Sequence, residues 1–118
     1  MPPNRRRMKT WAYLILAIAS EVVATASLKS TEGFTKFAPS IIVLVAYSAA
    51  FYFLSLTLEE LPIGVVYAVW SGVGIAAITL ISVFFMDQKI DAVGVVGIGF
   101  IILGVIVLRL FSESAVEV

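Results

Sequence analysis

The chain has 118 residues, of which 61% are hydrophobic and 14% charged, and its mean hydropathy is +1.08. Soluble domains contain about 45–50% apolar residues, so this composition excludes a small soluble globule. Eight basic residues balance eight acidic ones, and Cys and His are absent. These facts remove disulfides, thiol nucleophiles, the usual zinc sites and His-based acid–base chemistry. We expect no enzyme activity, metal or cofactor, and no nucleic-acid partner.

Long intervals without charge indicate where the chain can cross a membrane. Residues 37–58, 61–86 and 92–108 contain no charged residue, and residues 10–28 contain only Glu21. A hydrocarbon core of about 30 Å needs roughly 20 helical residues. The sequence therefore predicts an all-α integral membrane protein with four transmembrane helices. We expect a basic N-terminal leader at residues 1–9, a single transmembrane domain at 10–111 with helices at 10–28, 38–58, 62–86 and 92–111, and a C-terminal tail at 112–118.

The first predicted helix has a competing interpretation. A run of three Arg residues at 5–7, the apolar segment after it and Ala24-Thr25-Ala26 match the three parts of a secretory signal peptide. We favour a membrane helix, because the later segments are also membrane-embedded and leave no secreted domain for a signal to export.

Basic residues flank the predicted spans in similar numbers on both sides. If translation begins at Met8, two basic residues lie on one side of the membrane and three on the other. By the positive-inside rule such a chain has little topological preference, so we predict insertion in both orientations. The residues are Lys9 and Arg109 against Lys29, Lys36 and Lys89, with Arg5, Arg6 and Arg7 added when the leader is complete.

Glu21 is the one acidic residue inside a predicted span. A charged carboxyl at the bilayer centre costs about 2.5–3.5 kcal/mol on insertion scales, and such residues are usually functional. Because burial favours the neutral acid over the carboxylate, Glu21 is a candidate site for reversible proton binding. The alternative is a permanently neutral Glu that donates one hydrogen bond to another helix.

The helix face around Glu21 carries mostly small or aliphatic residues. Helical spacing places Thr25 one turn away, with its hydroxyl in reach of the carboxyl. Small residues suit either a ligand or a closely packed helix, so both interpretations stay open for this face. Its other members are Leu14, Ala17, Ile18, Ala24 and Leu28.

Two aromatic pairs lie on the second and third predicted helices. Tyr47 and Phe51 are one turn apart, and Tyr67 and Trp70 share a face. Aromatic faces attract organic cations by about 0.5–2 kcal/mol each. The alternative, an aromatic belt at the membrane interface, fits Trp11 and Tyr13 better than residues inside a charge-free interval.

Glycines mark the third and fourth predicted helices. In Ser71-Gly72-Val73-Gly74 they favour either a helix kink that changes between conformations or tight helix packing. In the last helix Gly94, Gly97 and Gly104 fall along one face, with Val105 adjoining. Because small residues on one stripe promote helix association in lipid, we predict that this stripe contacts another copy of the chain.

Together these residues resemble the small multidrug resistance transporters, in particular their quaternary-ammonium (EmrE-like) branch. The likeness covers nearly all of residues 8–111. It rests on the segment around Glu21 (ASEVV), on Leu28-Lys29 followed by Glu32-Gly33-Phe34-Thr35, on residues 61–74 (LPIGVVYAVWSGVG), and on the spacing from Gly97 to Gly104-Val105.

The resemblance implies an antiparallel, dual-topology homodimer in the bacterial inner (cytoplasmic) membrane. Such a protein exchanges protons for hydrophobic cations by alternating access, which is multidrug efflux driven by the proton gradient. Glu21 of each protomer would bind proton and substrate, Gly72 and Gly74 would let the third helix bend, and Gly97, Gly104 and Val105 would contact the other protomer. The expected pocket lining is Leu14, Ala17, Ile18, Thr25, Tyr47, Phe51, Tyr67, Trp70 and Ser71.

Two alternatives remain at this point. One is a guanidinium-type small-cation exporter or a subunit of a heteromeric pair. That branch favours a bulky aromatic soon after the Glu and a Thr after the third-helix Trp, whereas this chain has Ala24-Thr25 and Ser71. The other alternative is a small membrane protein that transports nothing and packs against a larger complex.

Overall fold

A computed structural model describes residues 5–111, apart from the side chains of Arg6 and Arg7. Helices account for most of this part of the chain, and it contains no strand. Four helices are long and apolar enough to cross a membrane, which confirms the expected all-α architecture. They are α1 (Arg5–Leu28), α2 (Phe37–Thr57), α3 (Ile63–Phe85) and α4 (Ala92–Phe111), with a short 3-10 helix, η1 (Lys29–Thr31), after α1.

The helix ends lie close to the predicted ones except at the start of α1. The ends of α2 and α3 differ by one residue, and α4 has the predicted bounds. α1 begins at Arg5, five residues before residue 10, because Arg, Met and Lys are good helix formers and continue the helix beyond its apolar part. The rest of the predicted leader and tail, residues 1–4 and 112–118, lies outside the described residues.

The chain divides into two compact units, Met1–Glu60 and Leu61–Val118; the single domain expected from the sequence stays a prediction. In the first unit α1 packs against α2. Tyr13 near the start of α1 stacks on Phe53 near the end of α2, with ring centroids 6.2 Å apart, so the two helices run antiparallel. The most deeply buried residues of these helices are Leu14, Ala17, Ala24, Val43, Ala50 and Thr57.

Thr31 organises the link between α1 and α2. Its hydroxyl donates to the Leu28 carbonyl at 2.7 Å and accepts from the Phe34 N–H at 3.2 Å. Its carbonyl accepts from the N–H groups of Thr35 and Lys36 at 2.9 and 3.1 Å. These bonds stabilise a sharp turn in which Glu32, Gly33 and Phe34 all have positive φ. This conformation is unfavourable for residues other than glycine.

In the second unit α3 packs against α4. The link between them passes through Asp87, whose φ of 56° lets the next N–H, that of Gln88, donate to the Ser82 carbonyl at 3.0 Å. Asp91 then caps α4, because its Oδ1 accepts from the Gly94 N–H at 2.9 Å. None of the described residues of α4 is buried.

Candidate functional site

Glu21 lies within the apolar part of α1 and is half-buried. Its Oε1 accepts a hydrogen bond from Thr25 Oγ1 at 2.8 Å. Its Oε2 is buried and has no hydrogen-bond partner among residues 5–111. Buried polar atoms in proteins are normally paired, so an unpaired carboxyl oxygen indicates a place where something else binds. The two oxygens of this carboxyl are therefore not equivalent.

Tyr47 connects this carboxyl to α2. Its hydroxyl lies 2.8 Å from Thr25 Oγ1. A Thr hydroxyl has one proton, and Thr25 donates it to Glu21, so Tyr47 must be the donor to Thr25. We call this chain of donors, from Tyr47 through Thr25 to Glu21, the hydroxyl relay. It lies entirely within the first unit and joins its two helices.

An aromatic surface adjoins the hydroxyl relay on α2. The rings of Tyr47 and Phe51 stack with centroids 6.3 Å apart and an interplanar angle of 23°. Phe51 is 56% exposed. An exposed ring that adjoins the hydroxyl relay offers an organic cation π-face contact on the same helix pair as the Glu21 carboxyl.

Three of the four predicted lining residues on α1 are buried: Leu14, Ala17 and Ile18 are at most 7% exposed, whereas Thr25 is half-buried. Ala24, on the same helix face, is fully buried as well. Side chains that are already covered offer little surface to a ligand, so this geometry favours the packing interpretation for them. Their contact with a substrate stays a prediction.

The aromatic pair on α3 also has an exposed face. Tyr67 and Trp70 meet edge to face, with centroids 6.0 Å apart and an interplanar angle of 84°. Tyr67 is 62% exposed, and Trp70 and Ser71 are half-buried. The pair is thus held in a fixed arrangement and one of its rings can contact a ligand.

Gly72 brings α3 and α4 together. A methyl group at Gly72 would overlap Cγ2 of Val105 and lie 3.3 Å from Cγ2 of Ile101. α3 is helical without interruption through Gly72 and Gly74, both buried. The geometry thus favours close packing at Gly72 and places Val105 in a contact within its own chain. The bend in α3 and the contact of Val105 with another protomer stay predictions.

The space beside Gly97 and Gly104 of α4 is open. A methyl group at Gly97 or Gly104 would meet no atom of the structure within 4 Å. On the side towards α3, an open apolar cavity of about 580 Å³ is lined by residues of both helices, including Ser71, Gly104 and Leu108. Small exposed residues of this kind allow another helix to approach closely in lipid.

One connection in this site could not be predicted from the sequence. The spacing of four residues along a helix places Thr25 within reach of Glu21. The bond between Thr25 and Tyr47, in contrast, depends on how α2 is rotated about its axis against α1.

Comparison with known proteins identifies the family. Residues 9–113 match the family model of the Small Multidrug Resistance protein. The chain belongs to the small multidrug resistance family. It is 55% identical over 108 residues to the quaternary ammonium compound-resistance protein QacE of Escherichia coli, an alignment that covers 92% of this chain and 98% of QacE.

Two further relatives from other bacteria cover almost the same region. A multidrug transporter of Pseudomonas aeruginosa is 47% identical over 108 residues, covering 92% of this chain and 98% of its own length. The quaternary ammonium compound-resistance protein QacC of Staphylococcus aureus is 41% identical over 104 residues, covering 88% of this chain and 97% of its own length.

Family membership confirms the resemblance seen in the sequence. Members of the small multidrug resistance family are transporters and not enzymes, and the same holds for this chain. With its four apolar helices, it is a multi-pass membrane protein.

Proposed function

We propose that this small multidrug resistance protein exports hydrophobic and quaternary ammonium cations in exchange for protons, and that proton and cation compete for Glu21. Its relatives QacE and QacC are quaternary ammonium compound-resistance proteins, which supports this substrate class. The observation that carries the proposal is the Glu21 carboxyl, which lies in a membrane-spanning helix with one oxygen held by Thr25 and the other buried without a partner among the described residues.

Competition between proton and cation for the Glu21 carboxyl couples the inward movement of protons to the outward movement of the cation. An ionised Glu21 attracts a cation strongly where water is scarce, whereas a protonated one does not. By thermodynamic linkage, a bound cation promotes release of the proton, and low pH weakens cation binding. An inward proton gradient then drives the cation outward. Beside the carboxyl, the faces of Tyr47 and Phe51 provide the apolar and π contacts that a lipophilic cation needs.

We further propose that the transporting unit is an antiparallel homodimer with alternating access. A single chain supplies one Glu21, and a second copy brings a second carboxyl to the shared site. The open face of α4 with Gly97 and Gly104 supports association of two copies. The similar numbers of basic residues on the two sides support insertion in both orientations. Because the relatives are bacterial, we assign the protein to the bacterial inner membrane.

Replacing Glu21 by Gln tests the proposal. Purified protein in liposomes is titrated with tetraphenylphosphonium across a pH series, and proton release on cation addition is recorded. We expect Glu21→Gln to abolish both proton-coupled exchange and the pH dependence of binding, because the amide neither ionises nor carries the proton. Glu32→Gln is the matched control. Glu32 is an exposed loop acid paired with Lys36 at 3.6 Å, and its substitution leaves both signals unchanged.

Retention of coupled exchange by Glu21→Gln would show that the proton site lies elsewhere. Guanidinium, tested beside tetraphenylphosphonium and a quaternary ammonium compound, identifies a small-cation exporter if it alone releases protons. A protein that releases no proton with any of these cations fits the alternative of a non-transporting membrane protein.

A further inference from the structure

We propose that Thr25 is a positioning residue for Glu21. The Thr25 hydroxyl donates a hydrogen bond to Glu21 Oε1, so Glu21 Oε2 is the oxygen that binds the proton or faces the cation. This bond also sets the pH at which a proton replaces the bound cation. This inference rests on the proposed role of Glu21 and adds the reacting atom and a second residue to it.

The hydrogen bond of Thr25 differs from those of most other hydroxyls in these helices. Thr and Ser inside a membrane helix commonly donate to the backbone carbonyl three or four residues earlier. Thr25 donates instead to a side chain, the Glu21 carboxyl, at 2.8 Å. The hydroxyls that follow the common pattern are those of Ser20, Ser40, Ser48, Ser55, Thr57, Thr79 and Ser82.

The bond from Thr25 to Glu21 fixes the direction of the other bond of Thr25. Because the single Thr25 proton is donated to Glu21 Oε1, Tyr47 must donate to Thr25 Oγ1 and does not compete for that proton. An oxygen that already accepts this bond is the less favourable place for an added proton, whereas Oε2 has no donor among the described residues. The proton therefore binds at Oε2.

No charged side chain on the neighbouring helix competes with this hydroxyl for control of Glu21. The sequence of α2, the helix packed against α1, contains no Asp, Glu, Lys or Arg. Lys9 lies twelve residues from Glu21, or about 18 Å along the helix axis. The described titratable groups on the elements concerned are Arg5, Lys9 and Tyr13 on α1, Lys29 on η1, and Tyr47 and Tyr52 on α2.

A hydrogen bond donated to a carboxyl favours its ionised form. Without the Thr25 hydroxyl, Glu21 favours the protonated acid, so protons displace a bound cation already at higher pH. A residue that merely lined the pocket would behave differently, because its loss would weaken cation binding by the same factor at every pH. The pH profile therefore separates positioning from contact.

Two substitutions at Thr25 provide the test. Thr25→Val keeps the shape and removes the hydroxyl, whereas Thr25→Ser keeps the hydroxyl. Tetraphenylphosphonium binding by the full-length protein in liposomes is measured over a pH series. The midpoint is the pH at which tetraphenylphosphonium binding is half-maximal. For Thr25→Val we expect this midpoint to rise by about one pH unit, whereas at pH values well above it the variant binds the cation with wild-type affinity. Thr25→Ser returns the midpoint to that of the wild type.

Tyr47 provides a second, independent variant. Tyr47→Phe removes the donor to Thr25 but leaves Thr25 bonded to Glu21, so the midpoint should rise by only about a tenth to a third as much. In the double variant with Thr25→Val the relay is already cut, and the midpoint should equal that of Thr25→Val alone. Full additivity of the two shifts would overturn the relay.

The outcomes separate this inference from the proposed function. If the wild-type protein releases no proton on cation binding, both fail. If the wild type releases protons but Thr25→Val has an unchanged midpoint, or loses affinity equally at all pH values, only the positioning role is wrong. Should Thr25→Val not fold, Thr25→Cys replaces the hydroxyl by a weak S–H donor, and a smaller upward shift is expected.

Discussion

The two helix pairs of this protein use similar amounts of apolar sequence for different purposes. The pair α1/α2 holds an acid, two hydroxyls and a stacked aromatic surface, and the small residues Ala17, Ala24 and Ala50 are fully buried. The pair α3/α4 has one charged residue, Arg109 in the last turn, and none of the described residues of α4 is buried. The comparison indicates that the first pair holds the carboxyl and hydroxyl groups of the relay in fixed positions. The second pair leaves most side chains of α4 exposed to lipid or to another helix.

The largest effect on folding is expected where the second pair is closely packed. Gly72→Ala places a methyl group into Cγ2 of Val105, and we expect it to lower the free energy of unfolding by about 1–3 kcal/mol, as overpacking does. Titration with a denaturing detergent measures this loss. Gly64→Ala, on the same helix with no atom within 4 Å of the new methyl group, is the control and stays near wild type.

A second substitution at this contact sharpens the test. Val105→Ala removes the methyl group that Gly72→Ala would overlap, so the double variant should recover part of the lost stability. If Gly72→Ala and Gly64→Ala have the same free energy of unfolding, the packing of α3 against α4 does not depend on the close contact at Gly72.

A smaller effect is expected at the aromatic pair of α3. Trp70→Ala should weaken tetraphenylphosphonium binding by about 0.5–2 kcal/mol, or roughly 2- to 30-fold, because a cation–π contact is lost. A compact cation such as tetramethylammonium should lose less, since it covers less of the ring. Equilibrium binding to the two cations at one pH provides the measurement, and equal losses would mean that Trp70 is structural.

The smallest effect on folding is expected on the open face of α4. A methyl group at Gly97 meets no atom of the structure within 4 Å, so Gly97→Ala should change the free energy of unfolding by less than about 0.5 kcal/mol. Its effect should fall on association instead. The fraction of dimer in detergent, measured by chemical cross-linking, is expected to decrease, and an unchanged fraction would remove Gly97 from the predicted contact between protomers.

The helices and the acid could be predicted from sequence because charge alone marks them. Lipid does not tolerate unpaired charge, so charge-free intervals locate the spans, and an acid inside one of them stands out. The start of α1 at Arg5 could not be predicted in the same way. Hydropathy marks where a helix leaves the lipid and not where its hydrogen bonding ends.

Contacts between helices were harder to predict than the helices themselves. The stacking of Tyr13 on Phe53 was not predicted, and its place in an interfacial belt stays a prediction. The contact of Val105 with Gly72 of its own chain was not predicted either, and its contact with another protomer stays a prediction. Both of these contacts within the chain depend on the rotation and separation of neighbouring helices, which a stripe of small or aromatic residues permits but does not specify.

The turn around Thr31 has a consequence for biosynthesis. It closes through hydrogen bonds among residues 28–36 alone, so α1 and α2 can fold back on each other before α3 has left the ribosome. A hairpin with such a self-contained turn has these backbone groups paired before the rest of the chain is present, which lowers the cost of bringing them to the bilayer. Glu21 can thus meet Thr25 and Tyr47 during insertion, and the energetically costly acid has partners while half of the protein is still being made.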